Sequence, residues 1–290
     1  MNNERTLALA IRSVYAQTFT DWELLLIDDG SADRSLELAR SVDDPRVRVL
    51  SDGDNRGLPA RLNELVRAST ADVIVRMDAD DAMLPRRLEL QLAVLREHPD
   101  VQLVGGTTYL MNAAEQVYGH HIGPELEPDP GLFLRLRGGF PFGHPTIAVR
   151  RDWFLANPYD ESFRKGQEKE LFCRTYTRSR FFKIDDPVIF YREGGTMKVS
   201  AYRETRRNDR RLLRMYGTLL IGARRTAFAY ALTYGKEAIY SVAHRAGAIA
   251  ELDERIARRR ASGVAPQDLA AAQALLENIR RTPVPGLDPG

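Results

Sequence analysis

The stretch Val73-Ile74-Val75-Arg76-Met77-Asp78-Ala79-Asp80-Asp81 constrains the fold of this chain more than any other. Its first residues are β-branched and mostly apolar, as in a strand, and they stop on three carboxylates. Pro85 then suits the opening turn of a helix. Carboxylates at the C-terminal end of a strand lie on the rim of an α/β sheet, where ligands bind. Asp78 and Asp80 are one residue apart, so at a turn both can converge on a hard cation such as Mg or Mn, which bridges to nucleotide phosphates. The plainer reading is a helix start decorated with acids, which the helix dipole favours.

The rest of the first half repeats the strand-then-helix pattern. Leu7, Ala10, Ile11 and Val14 have helical spacing. Leu24-Leu25-Leu26-Ile27 is a continuous apolar run of buried-strand length, and it ends on Asp28-Asp29-Gly30-Ser31. Asp33 to Ser41 reads as a helix, Arg46 to Leu50 as a strand, Asp52 to Gly57 as a loop and Leu58 to Ala68 as a helix. Pro85 to His98 and Val101 to Val104 continue the series. Such alternation predicts a parallel sheet with helices on both faces, and both acidic turns on one edge of it. Thr107 to Ile122 suggests a hairpin, Pro130 to Arg137 a short helix, and Gly138 to His144 a turn-rich loop. Gly166 to Phe172 starts a helix with acids in its first turn, Val188 to Tyr191 is a late strand, and Gly194-Gly195 opens another loop. Beyond about Ala201 arginines crowd between Arg203 and Arg214. Ile221, Phe228, Leu232, Ile239, Val242 and Ile249 then form a helical stripe, Arg258-Arg259-Arg260 and a helix from Pro266 follow, and Thr282 to Gly286 reads as a frayed tail.

Composition narrows the function classes. A net charge of +2 removes a bulk electrostatic case for nucleic-acid binding. The single cysteine, Cys173, excludes an internal disulfide framework, fits a reducing compartment and reads as an apolar filler. No apolar run approaches the roughly 18 residues of a membrane span.

Several motifs fall in one order: Ala10-Ile11-Arg12-Ser13-Val14, Trp22-Glu23-Leu24 into Asp28-Asp29-Gly30-Ser31, Asn55-Arg56-Gly57 with Asn63, and Asp78-Ala79-Asp80-Asp81. His144-Pro145-Thr146, Tyr159-Asp160-Glu161-Ser162-Phe163 and Glu168-Lys169-Glu170-Leu171 follow. With these the chain resembles a family 2 glycosyltransferase of the GT-A fold, a nucleotide-diphospho-sugar transferase, from its first residues to about Tyr191. The resemblance implies a three-layer α/β/α fold with a mostly parallel central sheet. It implies a catalytic domain over residues 1–200, leaving 201–290 as a helical extension.

The resemblance also implies roles. Asp29, with Asp28, would hydrogen-bond the nucleotide base, Asp78 would hold the ribose side, and Arg56 would assist. Asp80, with Asp81 beside it, would bind a divalent cation, Mn or Mg, as a DXD motif. Glu168 falls at the position of the catalytic base, where the family more often has Asp, and Glu170 is its rival. The implied reaction is metal-dependent, inverting transfer of a sugar, from UDP or a related nucleotide, to the hydroxyl of a glycan, lipid-linked or other acceptor in polysaccharide or glycoconjugate synthesis. The implied location is cytoplasmic or peripheral at the inner membrane face.

Alternatives stand beside this reading. Asp28 and Asp29 would also serve as helix caps, and His144 would contact acceptor or phosphate, or be structural. The Arg203–Arg214 cluster is a solvated face or a contact for anionic lipid headgroups, and the C-terminal helices pack on the catalytic domain, form a homodimer or rest on a membrane. A catalytically impaired nucleotide-sugar-binding or scaffold protein is the rival function, and a nucleotidyltransferase is a third. One departure bears on the sheet. The family opens with a strand ending in a Pro-x-Tyr-Asn-like turn, and Met1-Asn2-Asn3-Glu4 falls about where that turn finishes. The first strand, expected between Leu24–Ile27 and Val73–Met77, is therefore expected to be missing or replaced by another segment, because those two strands would otherwise lose backbone partners.

Overall fold

A computed structural model of the 290-residue chain describes residues 1–127, 129, 131–134, 140–193, 199–249 and 264–288. In chain order the first half runs α1 (Leu7–Tyr15), β1 (Leu24–Ile27), α2 (Ser35–Arg40), β2 (Val47–Leu50), α3 (Leu58–Ala68), β3 (Val73–Val75), β4 (Ala82–Met83) and α4 (Arg87–Glu97). Then come β5 (Val101–Met111), β6 (Val117–His121), β7 (Ala148–Arg150), α5 (Arg151–Ala156), α6 (Gln167–Thr175) and β8 (Arg180–Arg192). The helical remainder is α7 (Val199–Leu212), a π-helical turn (Leu213–Gly217), α8 (Thr218–Ile221), α9 (Ala223–Arg245) and α10 (Pro266–Arg280).

The helices form where the spacing said they would. Leu7, Ala10, Ile11 and Val14 are buried along one side of α1, and Leu88, Gln91 and Leu95 along one side of α4. Gly57, at φ +86°, makes the left-handed step into α3, and Pro59 follows in its first turn. The predicted strand at Val101 and the hairpin strand at Thr107 merge into β5, with Gly105 and Gly106 in its middle. A Cβ on Gly105 would lie 2.1 Å from the Phe142 ring, so only glycine lets that ring close the core.

The α/β class is as expected, but strand direction is more mixed. β1 and β2 form a parallel pair on their own. The other strands lie in the order β3-β7-β5-β8-β4, with β6 also on β5. Of the pairs in this larger sheet, β5–β8 is parallel, whereas β3–β7, β7–β5, β5–β6 and β8–β4 are antiparallel. Helix alternation fixes direction only where a crossover helix joins neighbouring strands. β7 and β4 reach their neighbours through loops, which carry no such constraint.

The C-terminal region also differs from expectation. Val284 is buried with Leu7, Ile11 and Ala39, and Arg12 grips Asp288 and donates to the Thr282 carbonyl. The expected frayed tail is therefore docked, because two prolines stiffen a segment that buries Val284 and packs Leu287 against the same cluster. α10 places Ala272, Leu276 and Ile279 in one core with Leu9, Leu84, Met111 and Phe190. α9 packs on α7 through its Thr233 and Tyr240 side, with Tyr240 stacked on Tyr202 at 3.9 Å. Of the expected apolar stripe, Phe228, Ile239 and Val242 are each more than 60% exposed, whereas Ile221 packs against the main core and Ile249 is buried. The Arg258–Arg260 run and the Gly194-Gly195 loop lie outside the described residues, as do Pro130 and residues 135–137 of the expected short helix, of which Leu132–Leu134 form a 3-10 turn.

Candidate active site

Two strand ends build the site. After β3 the Arg76 N–H donates to the Ile147 carbonyl, which holds the chain beside β7 until the turn. At the turn Asp81 N–H reaches back to the Asp78 carbonyl, and β4 then pairs with β8 at Phe190 and Ile189. This clamps three aspartates between two strands. Oxygens of Asp78, Asp80 and Asp81 lie within 4.8 Å of one another.

Their charges are poorly balanced by the protein. The buried Arg76 guanidinium takes both oxygens of Asp78, at 2.8 and 2.5 Å. Arg192 spends its Nε on the Asp80 carbonyl and its backbone N–H, at 2.8 Å, on Asp81 Oδ1. Asp81 Oδ2 is buried with no partner. Burial and then the neighbouring Asp78 charge push Asp80 above the ordinary carboxyl range, and the same causes push Asp81 up to about 8. Three converging carboxylates with one orphaned buried oxygen are what a hard divalent ion satisfies, so the donor set fits the expected Mg or Mn. Asp80 and Asp81 would hold such an ion, with Asp78 close by.

Glu168 stands in the first turn of α6, which a left-handed Gly166 introduces. Burial raises its carboxyl above the ordinary value. Arg76 and Lys169 oppose that, and Asp78 adds to it, so Glu168 shares the field of the aspartate cluster. The rival Glu170 is fully engaged. It is buried, paired with Arg174 at 2.9 Å, and accepts the Tyr216 hydroxyl at 2.7 Å. A carboxylate held that way cannot take a proton from an incoming hydroxyl without breaking its own support.

The other acidic turn is tied to the chain around it. Asp28 extends the β1–β2 ladder through its N–H, and its carboxylate accepts the Ser31 N–H, which with the Ser31 hydroxyl and the Gly30 N–H keeps it acidic against the cost of burial. Asp29 accepts the N–H groups of Arg56, at 2.7 Å, and Gly57, and the Nε of Arg61 at 3.0 Å. Arg61 is only 1% exposed and also holds Asp52 and Glu64. Asp29 therefore ties the 52–57 loop to the start of α3; it does not cap α2, the helix that follows it, whose start carries no side-chain cap hydrogen bond. Arg56 itself reaches outward, 3.5 Å from Glu64. Asp29, Arg61, Arg76 and Asp78 line one cavity of about 1030 Å³ between β1 and β3.

Sequence reasoning missed four contributors. Arg76 lies two residues before Asp78, the strand period that puts both on one side, so the pattern contained it. Arg192, which fastens Asp80 and Asp81, carried no signal because it comes from a strand 111 residues away. Tyr191, beside it, has its hydroxyl pushed up to about 12 by burial and the three aspartates. Tyr159 meets the His144 ring at 2.7 Å. Burial and Arg76 keep that imidazole neutral, which favours the structural role for His144.

Comparison with known proteins agrees with this geometry. The profile of Glycosyl transferase family 2 matches residues 1–156, more than half of the chain. A putative glycosyltransferase of Bacillus subtilis, EpsE, is 40% identical over 172 residues, 58% of this chain and 60% of that protein. An Escherichia coli protein named as the UDP-Glc:alpha-D-GlcNAc-diphosphoundecaprenol beta-1,3-glucosyltransferase WfgD is 26% identical over 56% of this chain and 61% of its own length. The chain thus spans at most about 60% of these two relatives. Among solved structures, residues 1–349 of Staphylococcus aureus TarS in complex with UDP superpose with a TM-score of 0.58 at 16% identity, over 97% of this chain and 85% of that one. The fold is therefore that of the GT-A glycosyltransferases, and the chain belongs to glycosyl transferase family 2.

Proposed function

We propose that this protein is a glycosyltransferase that moves a sugar from a nucleotide diphosphate to an acceptor hydroxyl in polysaccharide synthesis. The undercompensated Asp78–Asp80–Asp81 cluster, in one electrostatic field with Glu168, carries the proposal. Residues 1–200 form the catalytic unit. UDP is the donor nucleotide, since TarS binds UDP and UDP-GlcNAc in crystals and WfgD is named for a UDP-Glc donor.

In this reading Asp78 holds the ribose side of the nucleotide, with Arg76 fixing its rotamer. Asp29 acts on the base through the loop it anchors, with Arg56 at that loop's tip and Asp28 stiffening the turn. A divalent ion held by Asp80 and Asp81 would supply Lewis-acid stabilisation to the departing diphosphate. Glu168 accepts the proton of the acceptor hydroxyl as its oxygen bonds to the anomeric carbon. The bond from that carbon to the diphosphate breaks with both electrons going to oxygen, and one displacement inverts the centre. Burial of Glu168 suits this, because a carboxylate with a raised pKa is a stronger base. Calorimetry with UDP and Mn on wild type and Asp80→Ala tests the assignment, and absence of UDP binding by wild type sinks it.

The acceptor in this reading is lipid-linked and met at an anionic membrane surface, which the charge and exposed apolar side chains of α7 to α9 support. Residues 199–245 hold nine arginines and one lysine against three acids, a large share of positive charge in a chain whose net charge is only +2. Arg224, Arg225 and Arg245 flank the outward Phe228, Ile239 and Val242, an arrangement that lies in a lipid interface rather than across it. No described helix is long and apolar enough to cross a membrane. On this reading the reaction runs at the cytoplasmic face of a membrane. A second reading, a nucleotide-sugar-binding scaffold without turnover, draws support from the full engagement of Asp29 by its own loop. Turnover of any nucleotide sugar by wild type excludes it.

A further inference from the structure

The turn that ends β5 carries a side chain its backbone does not favour. Asn112 to Gln116 closes the β5–β6 hairpin, with the Glu115 N–H donating to the Asn112 carbonyl and the Asn112 N–H to the Gln116 carbonyl. Glu115 has φ +61°. That is the left-handed region, where hairpin turns usually place glycine because a Cβ is unfavourable there. A glutamate in this conformation directs attention to what its carboxylate does.

That carboxylate is held between two arginines from distant parts of the chain. Its Oε1 accepts from Nη2 of Arg192 at 2.9 Å, and its Oε2 from Nη2 of Arg280 on α10 at 2.6 Å. α10 also fixes the hairpin backbone. The Gln273 side chain accepts the Val117 N–H at 2.8 Å and donates to the Glu115 carbonyl at 3.3 Å. Arg192 lies opposite Met111 in the β5–β8 ladder, and its side chain spans from the aspartate turn to the hairpin, with Nε on the Asp80 carbonyl and Nη2 on Glu115.

Arg192 is an awkward neighbour for a cation site. Its Nε is already 2.8 Å from the Asp80 carbonyl, and its backbone N–H is 2.8 Å from Asp81 Oδ1. A guanidinium turned onto the carboxylates of that pair would take them as Arg76 takes Asp78. Glu115 instead gives the fork a carboxylate that lies outside the cluster. Arg192 still fastens the turn, and the ligand oxygens stay open.

We propose that Glu115 is a positioning residue for the cation site: it holds the Arg192 guanidinium away from the carboxylates of Asp80 and Asp81 and so keeps them free for a divalent ion. α10 steadies Glu115 through Arg280. The inference rests on the reading of Asp80 and Asp81 as the ion's ligands. Groups that orient a ligand set from behind typically change metal affinity by about 10–100-fold when removed.

The test compares wild type, Glu115→Gly and Glu115→Gln in the full chain. Mn is titrated by calorimetry at a fixed UDP concentration, and urea unfolding is followed in EDTA. Glycine suits the left-handed backbone, and a freed Arg192 can pair with the aspartates. Glu115→Gly is therefore expected to unfold in EDTA at a midpoint equal to or above that of wild type. Its Mn affinity is expected to fall by about ten-fold. Glu115→Gln keeps the strained backbone and loses the charge, and a similar loss of Mn affinity is expected. In an Arg192→Gln background, Glu115→Gly is expected to change Mn affinity by less than about two-fold, because the group it acts through is gone. Mn bound by Glu115→Gly as tightly as by wild type overturns the proposal. So does a loss that persists in full in the Arg192→Gln background, or one that merely follows a fall in the urea midpoint. Wild type that takes up no Mn fails differently, since it removes the cation reading itself and the proposal with it.

Discussion

Asp81→Asn is expected to stabilise the metal-free protein above about pH 6 and to remove much of its loss of stability towards alkaline pH. Asp81 is 1% exposed and its carboxyl is pushed up to about 8, first by burial and then by Asp78. In the unfolded chain it titrates at the ordinary 3.8. Between those values the folded state holds a proton that the unfolded state has released, so stability falls as pH rises. The contribution is fully present below about pH 4 and is lost as pH passes 8. At ~1.4 kcal/mol per pH unit the gap sets a ceiling of ~5–6 kcal/mol, and relaxation plus water entry bring the expected difference to about 2–4 kcal/mol. Asparagine keeps an acceptor for the Arg192 N–H and never ionises. The assay is urea unfolding from pH 5 to 8.5 in EDTA, taking wild type minus variant so that other titrations cancel. Mn is then expected to restore wild type at high pH and to leave the variant nearly unchanged, because an ion needs the carboxylate. Parallel curves in EDTA would refute the argument, since they would mean that Asp81 is ionised at no cost.

Other outcomes separate the roles. Glu168→Gln is expected to lower turnover by about 10²–10⁴-fold while leaving UDP affinity within a factor of about three, as loss of a general base does; a calorimetric loss of UDP binding would instead make it a donor contact. Because burial raises Glu168, the wild-type rate should climb with pH through a midpoint above 4.5, and a flat profile from pH 4.5 to 7 would count against it as the base. Glu170→Gln is expected to cost about 1–3 kcal/mol in urea unfolding, since Arg174 and Tyr216 lose their partner, and to spare the residual specific activity of folded protein. Phe228→Asp with Ile239→Asp should abolish sedimentation with phosphatidylglycerol vesicles but not change UDP binding, and equal sedimentation of variant and wild type would remove the membrane assignment.

What the sequence made legible is what repeats with a period or ends on a punctuating residue. α1, α3 and α4 could be read because their buried positions recur every three to four residues. The acid turns could be read because aspartates follow apolar runs directly. Strand direction could not, since β7 and β4 join the sheet through pairings with Val73–Val75 and Ile189–Phe190 that no local pattern encodes. Which side of α9 is covered stayed open for a related reason. Periodicity shows that a helix has an apolar side, but Tyr240, Thr233 and their contacts with α7 decide which side is covered.

The same limit explains why the aspartate cluster was only half understood. Sequence placed three carboxylates together but could not say whether the protein neutralises them, and that decides between a decorated helix start and an ion site. The answer lies in groups distant along the chain. Arg76 is committed to Asp78, Arg192 offers Asp81 a backbone N–H and Asp80's carbonyl its Nε, and Oδ2 of Asp81 is left without a partner. A cluster meant only to favour a helix dipole would be exposed and ionised at little cost. This one sits under β4 and β8 with Asp80 and Asp81 pushed above the ordinary carboxyl range, a cost that a bound cation would offset.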